Sequence, residues 1–306
     1  MVTFVAMQTV RMTNGHWSLA GVRNYARTTL LLGALTALVV VVAHAVGGTS
    51  WAVMALAVMA VLNLGSWWFS DRIVAAMHHA RPLSESEAPW LHDMVGRLAA
   101  RAGIPTPRIM IVNDPAPNAF ATGRNPEHAM IAVTTGVVEV LDRDEIEGVV
   151  AHELAHVLHR DTLVSTIAAT MAGAISLVAR AAGWAFMLGG GRSSDDEHGT
   201  NPVAALLMIL VAPLIALLLQ LAVSRSRELG ADASGARLAG SARGLASALR
   251  KLDAYARRVP MRSADPATSH LYIVAPVASL GRSLAGLFHT HPPVEERIRR
   301  LQAVQL

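Results

Sequence analysis

Val149–Asp161 reads Val-Val-Ala-His-Glu-Leu-Ala-His-Val-Leu-His-Arg-Asp, and the rest of the chain takes its meaning from this stretch. Within it lies H-E-x-x-H, as His152, Glu153 and His156. On an α-helix, residues four apart share a face one turn apart, so this spacing aims two imidazoles at one metal ion. Zinc accepts such nitrogens, and a catalytic zinc keeps one position for water. Glu153 adjoins the first imidazole and can reach that water as general base. Asp142 and Glu145 form a D-x-x-E capping box that predicts the helix start. Ile146, Val149, Val150, Leu154, Val157 and Leu158 then give the helix a surface to bury. Two histidines and a glutamate buried among them are costly unless paired or ligated. The competing reading is a surface helix with solvated histidines. His159 lies three residues past His156 and could approach the same face. A third histidine in the extended form of the motif needs a glycine bend and a longer spacing, so His159 reads as a partly exposed neighbour.

The chain has 306 residues, of which 53% are hydrophobic and 16% charged, and its mean hydropathy is +0.40. These values suit a membrane protein carrying a polar domain better than a soluble enzyme. The formal net charge is +4, carried almost wholly by arginine, since Lys251 is the single lysine. The arginines stand beside apolar runs instead of forming a phosphate-binding stripe, so the expected partner is a lipid bilayer and not nucleic acid. The absence of cysteine excludes disulfides and thiolate metal sites. Any zinc must therefore use His, Asp or Glu.

Residues 1–27 are mixed, with Arg11, Arg23 and Arg27 ahead of an apolar run from Thr28 to about Val46. A signal peptide competes for that run, but a second one, Trp51–Phe69, follows almost at once and ends in Trp67, Trp68 and Phe69. Aromatic residues at that edge fit the interfacial belt, so residues 28–70 read as a transmembrane hairpin. A polar segment, 71–161, follows as the first part of a catalytic domain. Ser84 with Glu87 reads as a capping box, opening a helix to about Ala102 with Gly103 as its C-cap. Arg108–Val112 and Met130–Val133 read as strands of a small sheet, with Asn118–Ala121 between them and a turn at Thr122–Glu127. Two more apolar runs, Leu163–Leu188 with Arg180 inside and Val203–Val223 with Pro213, are long enough to span or to serve as buried core helices. They make 162–223 a second transmembrane hairpin, and 224–306 the second part of the catalytic domain. Arginines flank the ends of these hairpins, while their reentry loops are neutral or acidic. The positive-inside rule then gives four spans, both termini cytoplasmic, and a catalytic domain facing the cytoplasm.

Two histidines leave the metal short of a ligand, since a hydrolytic zinc usually has three. Candidates after the fourth run are Glu228, Asp232, Glu295, Glu296, His289 and His291. Glu228 follows that run immediately, as H-E-x-x-H immediately precedes the third. A hairpin between the two runs brings their ends together, which favours Glu228 as third ligand. Asp232, four residues on, shares its face and suits a hydrogen bond to a ligand imidazole. The alternative is that both are solvated charges paired with Arg225 or Arg227.

V-V-A-H-E-L-A-H-V-L-H-R-D, an apolar hairpin and R-E-L-G-A-D together resemble the HtpX-type membrane heat-shock zinc proteases, a group that includes Ste24 and Oma1. The resemblance covers nearly the whole chain, including Asn118-Ala119-Phe120-Ala121 and Thr290-His291-Pro292-Pro293. It implies a mainly α integral membrane protein with a zincin-like (gluzincin) α+β catalytic domain. It implies one Zn2+ per chain on His152, His156 and Glu228, with Glu153 as base and Asp232 behind the ligands. It implies that Asn118, Ala119, Phe120 and Ala121 bind substrate by strand addition. It places His291 near the site, where it could stabilise an oxyanion or merely precede a helix, and Arg297 could pair with a site carboxylate. It implies quality control of misfolded membrane proteins at a bacterial inner membrane. A specific processing protease, of the CAAX or signal-peptide kind, and a non-catalytic metal sensor or transporter are the rivals. Few ionisable residues interrupt the runs, which argues against transport. Residues 254–286, rich in Pro, Gly, Ser and Ala, read as a mobile loop or lid.

Overall fold

The computed structural model describes residues 19–167, 225–258, 273 and 292–306. The third and fourth apolar runs, His289 and His291 lie outside them, apart from the start of the third run.

The first element, α1, covers Leu19–Met77 and is two helices joined at Gly48, whose φ of 70° and ψ of −161° suit only glycine. Asn63 Nδ2 donates to Thr36 Oγ1 at 3.0 Å, so the two arms run side by side as a hairpin. The second arm contains Gly48–Phe69, a helix of 22 residues long and apolar enough to cross a bilayer. In the first arm the apolar helix is Leu32–Val41, shorter than the expected span. Among the described residues, one helix therefore meets the length and composition of a membrane span.

A four-stranded sheet follows, built from β1 (Arg81–Pro82), β2 (Arg108–Val112), β3 (Ala119–Thr122) and β4 (Met130–Thr134) in the order β1-β2-β4-β3. β2 and β4 are parallel, while β3 pairs antiparallel with β4 and forms an edge. All five residues of β4 are buried, because both faces of the sheet are covered. Ile131 and Val133 face the main helical core, while Met130 and Ala132 face a smaller cluster containing Val74 at the end of α1. That period-two division places the end of α1 on one side of the sheet and the main helical core on the other. Thr122 belongs to β3, one residue beyond the expected strand end.

Helix α2 covers Pro89–Ala102 and closes on Gly103 in the left-handed conformation. It starts later than the Ser84/Glu87 pair suggests. Those two do bond, with Ser84 Oγ donating to Glu87 Oε2 at 2.8 Å, but only as an isolated turn. Pro89 forces the residue before it out of the helical region, and Ala88 sits at φ −146°. A short helix α3 covers Thr135–Val140, and α4 covers Arg143–Leu158. After the undescribed segment come α5 (Arg225–Ala239), α6 (Arg243–Arg258) and α7 (Val294–Gln302). Residues 254–258 thus belong to a helix and not to a loop, because Leu252 and Ala256 share the apolar face of α6 that is buried in the core. Ile273 is buried too, so residues 254–286 are not wholly a surface lid.

Candidate metal centre

Helix α4 begins as its capping box predicts. Asp142 accepts from the Glu145 backbone, and Glu145 accepts from that of Asp142, each at 2.9 Å. Glu145 is buried and also accepts from Ser247 Oγ at 2.7 Å and from Lys251 Nζ at 2.6 Å. The only lysine of the chain thus ties α6 to the first turn of the H-E-x-x-H helix. Two turns further along, α5 crosses α4 so closely that a Cβ on Gly235 would lie 2.8 Å from the His152 backbone. That approach lets Glu228 and Asp232, seven and three residues earlier on the same face of α5, reach the histidines.

His152 Nε2 and His156 Nε2 lie 3.2 Å apart. Glu228 Oε1 is 3.5 Å from the His156 nitrogen, and Oε2 is 3.9 Å from that of His152. One ligand atom from each of the three residues lies within 4.8 Å of the others. Tetrahedral zinc with bonds of about 2.05 Å has ligand edges of about 3.3 Å, so the spacing fits such an ion. Each opposite ring nitrogen faces a carboxylate, in hydrogen-bond geometry at His156 and by proximity alone at His152. His152 Nδ1 lies 3.0 Å from Asp232 Oδ1, and His156 Nδ1 lies 3.2 Å from Asp161 Oδ2. A carboxylate on Nδ1 holds the proton there and leaves the Nε2 lone pair for a metal. Asp232 is itself gripped by Arg297, whose Nε and Nη2 donate to its two oxygens at 2.9 and 2.7 Å. Arg297 is fully buried and also donates from Nη1 to Ile273 O at 2.9 Å.

The electrostatics follow this arrangement. Burial opposes the charge on Asp232, yet Arg297 holds its carboxyl down to about 2. Burial also opposes the charge on His156, but the hydrogen bond to Asp161 and the nearby Glu228 carboxylate push it up to about 9. Glu153 is pushed above the usual carboxylate range by burial, only partly offset by the two imidazoles.

Glu153 Oε2 accepts from the Ala121 backbone N–H at 2.8 Å. Along β3 the residues alternate. Asn118 exchanges hydrogen bonds with Thr134, so the N–H of Ala121 points away from β4, toward the edge that no other described strand pairs with. Of the four residues expected to meet substrate, Ala119 and Ala121 carry backbone groups on that edge. The Asn118 side chain instead accepts from Ile273 N–H at 3.2 Å within the core. The Phe120 ring packs on the far face of the sheet, 4.8 Å from His78.

His159 is half-buried and pairs with Ser234 Oγ at 3.2 Å, outside the three-residue cluster. Glu295 and Glu296 lie on α7 away from the cluster, with Glu296 paired to Arg300. Asp161 is the functional neighbour that sequence reasoning did not assign. Its signal was a carboxylate five residues after a candidate ligand, just past the helix end.

Two histidines on one helix, a glutamate from a second and a buried glutamate beside an open strand edge define a metallopeptidase site. The profile of peptidase family M48 matches residues 85–305, and the chain belongs to that family. A Protease HtpX homolog of Syntrophobacter fumaroxidans is 52% identical over 279 residues, covering 91% of this chain and 98% of that protein. One of Pelotomaculum thermopropionicum is 48% identical over 283 residues, covering 92% and 100%. One of Pyrococcus furiosus is 46% identical over 286 residues, covering 94% and 98%. The crystal structure of S. mikatae Ste24p aligns at 18% identity with a TM-score of 0.48, covering 92% of this chain and 66% of that one.

Proposed function

We propose that the chain is a zinc endopeptidase seated in a bilayer and acting on misfolded or unfolded membrane proteins at the cytoplasmic face. The convergence of both Nε2 atoms on Glu228, with Glu153 alongside, is the observation that supports this most. His152, His156 and Glu228 would hold the ion, and His291 lies outside the described residues, so its part stays an expectation. Zinc there would supply Lewis acidity, polarising the scissile carbonyl and acidifying the attacking water. Glu153 takes the proton of that water and delivers it to the leaving amine. A Glu153 raised above the usual carboxylate range by burial suits both halves of that transfer, since it holds the proton of the water more firmly than an ordinary carboxylate and still yields it to an amine. Asp232 and Asp161 keep the imidazoles in the ligating tautomer, and Arg297 keeps Asp232 ionised. An extended substrate strand pairs with the β3 edge by backbone groups and so tolerates many sequences. In taking the Ala121 N–H it releases Glu153 for catalysis.

The test compares detergent-purified wild type with Glu153→Gln for zinc content and casein cleavage. Both should hold one zinc, while cleavage falls by about 10²–10⁴-fold in the variant. A variant that cleaves like wild type overturns the assignment of the base. Casein cut at many sites supports quality control, whereas one site marks a processing enzyme.

A further inference from the structure

Where the second arm of α1 leaves its apolar stretch, Trp67, Trp68 and Phe69 stand 39%, 53% and 46% exposed. In a spanning helix such a belt marks the depth of the lipid headgroups. Arg124, in the loop between β3 and β4, lies over the Trp68 ring at 4.8 Å and donates from Nη1 to the Trp68 carbonyl at 3.0 Å. Arg72 follows Trp68 by four residues on the same helix, hence on the same face, and is exposed. Neither arginine has a carboxylate contact among the described residues. The nearest acid in sequence to Arg72, Asp71, is buried and taken by Arg108. Glu127, three residues past Arg124, makes no ion pair with it.

We propose that Arg72 and Arg124, gathered at Trp68, bind the phosphate of an anionic phospholipid headgroup. This rests on the membrane placement proposed above. The chemistry is that of a guanidinium lying over an indole, with N–H donors beyond the one given to the Trp68 carbonyl left for a pair of phosphate oxygens. Two cations at headgroup depth with no carboxylate partner among the described residues draw their counter-charge from the membrane surface. The site also bears on the cleft. Arg124 follows the end of β3 by two residues, and Thr122 Oγ1 is bonded to Thr166 Oγ1 at 2.7 Å, at the head of the third apolar run. A headgroup on Arg124 would therefore tie the end of β3, the strand proposed to receive substrate, to the bilayer surface.

The test is native mass spectrometry of the full chain, released from micelles containing phosphatidylglycerol and phosphatidylcholine in equal amounts. Wild type should retain phosphatidylglycerol in preference. Arg72→Gln and Arg124→Gln should each lower that preference about fivefold, and together more, with unchanged gel-filtration profile and melting temperature. Arg143→Gln removes an arginine stacked 5.3 Å over Trp90, away from the belt, and should leave the preference intact. Equal retention of both lipids by wild type, or an equal loss in Arg143→Gln, overturns the proposal. So does wild type in lipid-free detergent binding inorganic phosphate through the same two arginines, which makes the site one for free anions. Flotation with phosphatidylcholine vesicles separates the two readings. A chain that fails to float refutes the membrane placement, whereas one that floats without preference refutes the headgroup site alone.

Discussion

A proton on His156 and a metal ion compete for the same imidazole. In the metal-free chain this group is raised from 6.5 to about 9, so at neutral pH it is protonated and the metal must displace that proton. Apparent zinc affinity should therefore rise about tenfold per pH unit up to about pH 9 and flatten above it, as read by chelator competition. Stability of the metal-free chain runs the other way. A group raised on folding stabilises fully below its unfolded value and loses that contribution as pH rises through its folded one. Metal-free protein should accordingly melt lower at pH 9 than at 6.5. A zinc affinity that does not change with pH would sink this account. Arg297 gives a second prediction at the same scale. Removing it as Arg297→Met leaves the Asp232 carboxylate buried without its partner, at a cost of about 3–5 kcal/mol. Adding Asp232→Asn should recover much of that loss in thermal melts, because the stranded charge is gone. A double variant no more stable than Arg297→Met would show that packing, and not charge, is what Arg297 contributes.

Helix packing decides whether the third ligand arrives. Gly235 lets α5 rest on the His152 backbone, so Gly235→Val should push α5 outward. We expect a loss of about 1–3 kcal/mol and a fall in zinc content, measured on the same purified sample. Gly96, in α2 with open space around it, is the contrast. There Gly96→Ala should be neutral or stabilise by about 0.5–1 kcal/mol, because only helix propensity changes. The α4 helix, its capping box and the two strands Arg108–Val112 and Met130–Val133 were legible in sequence because each follows from local spacing. Glu228 and Asp232 were legible for a different reason, since they follow the fourth apolar run as the histidines precede the third, and an expected hairpin of the two would return its ends to one place. Pro89 misled the reading of α2 because the Ser84/Glu87 pair satisfies a capping pattern that also closes a lone turn. Asp161 and the Ala121 N–H were not legible. Both act across a gap that only the packed fold closes, one past a helix end and one from a strand edge onto Glu153.

At the scale of the whole molecule, one sheet joins the membrane to the chemistry. Val74, at the end of α1, is buried against one face of the sheet, and α4 lies on the other. The site is thereby fixed on the side where α1 emerges after Phe69, whichever way the hairpin points. On the placement proposed above, the arginines flanking the apolar stretches of α1 would set that direction by the positive-inside rule, with the Gly48 turn outside and the catalytic residues within. The chain has no cysteine, so one introduced thiol reports sidedness without a competing signal. Ser50 is exposed beside the turn, and Ser86 is exposed just beyond β1 on the catalytic side. In intact cells of a bacterial host with a permeabilised outer membrane, Ser50→Cys should react with a membrane-impermeant maleimide. Ser86→Cys should react only once the inner membrane is opened. Both variants should cleave casein like wild type, since neither serine touches the site. The reverse labelling would place His152, Glu153 and His156 outside the cell. Quality control of proteins at the cytoplasmic face would then be untenable, even with the metal chemistry intact.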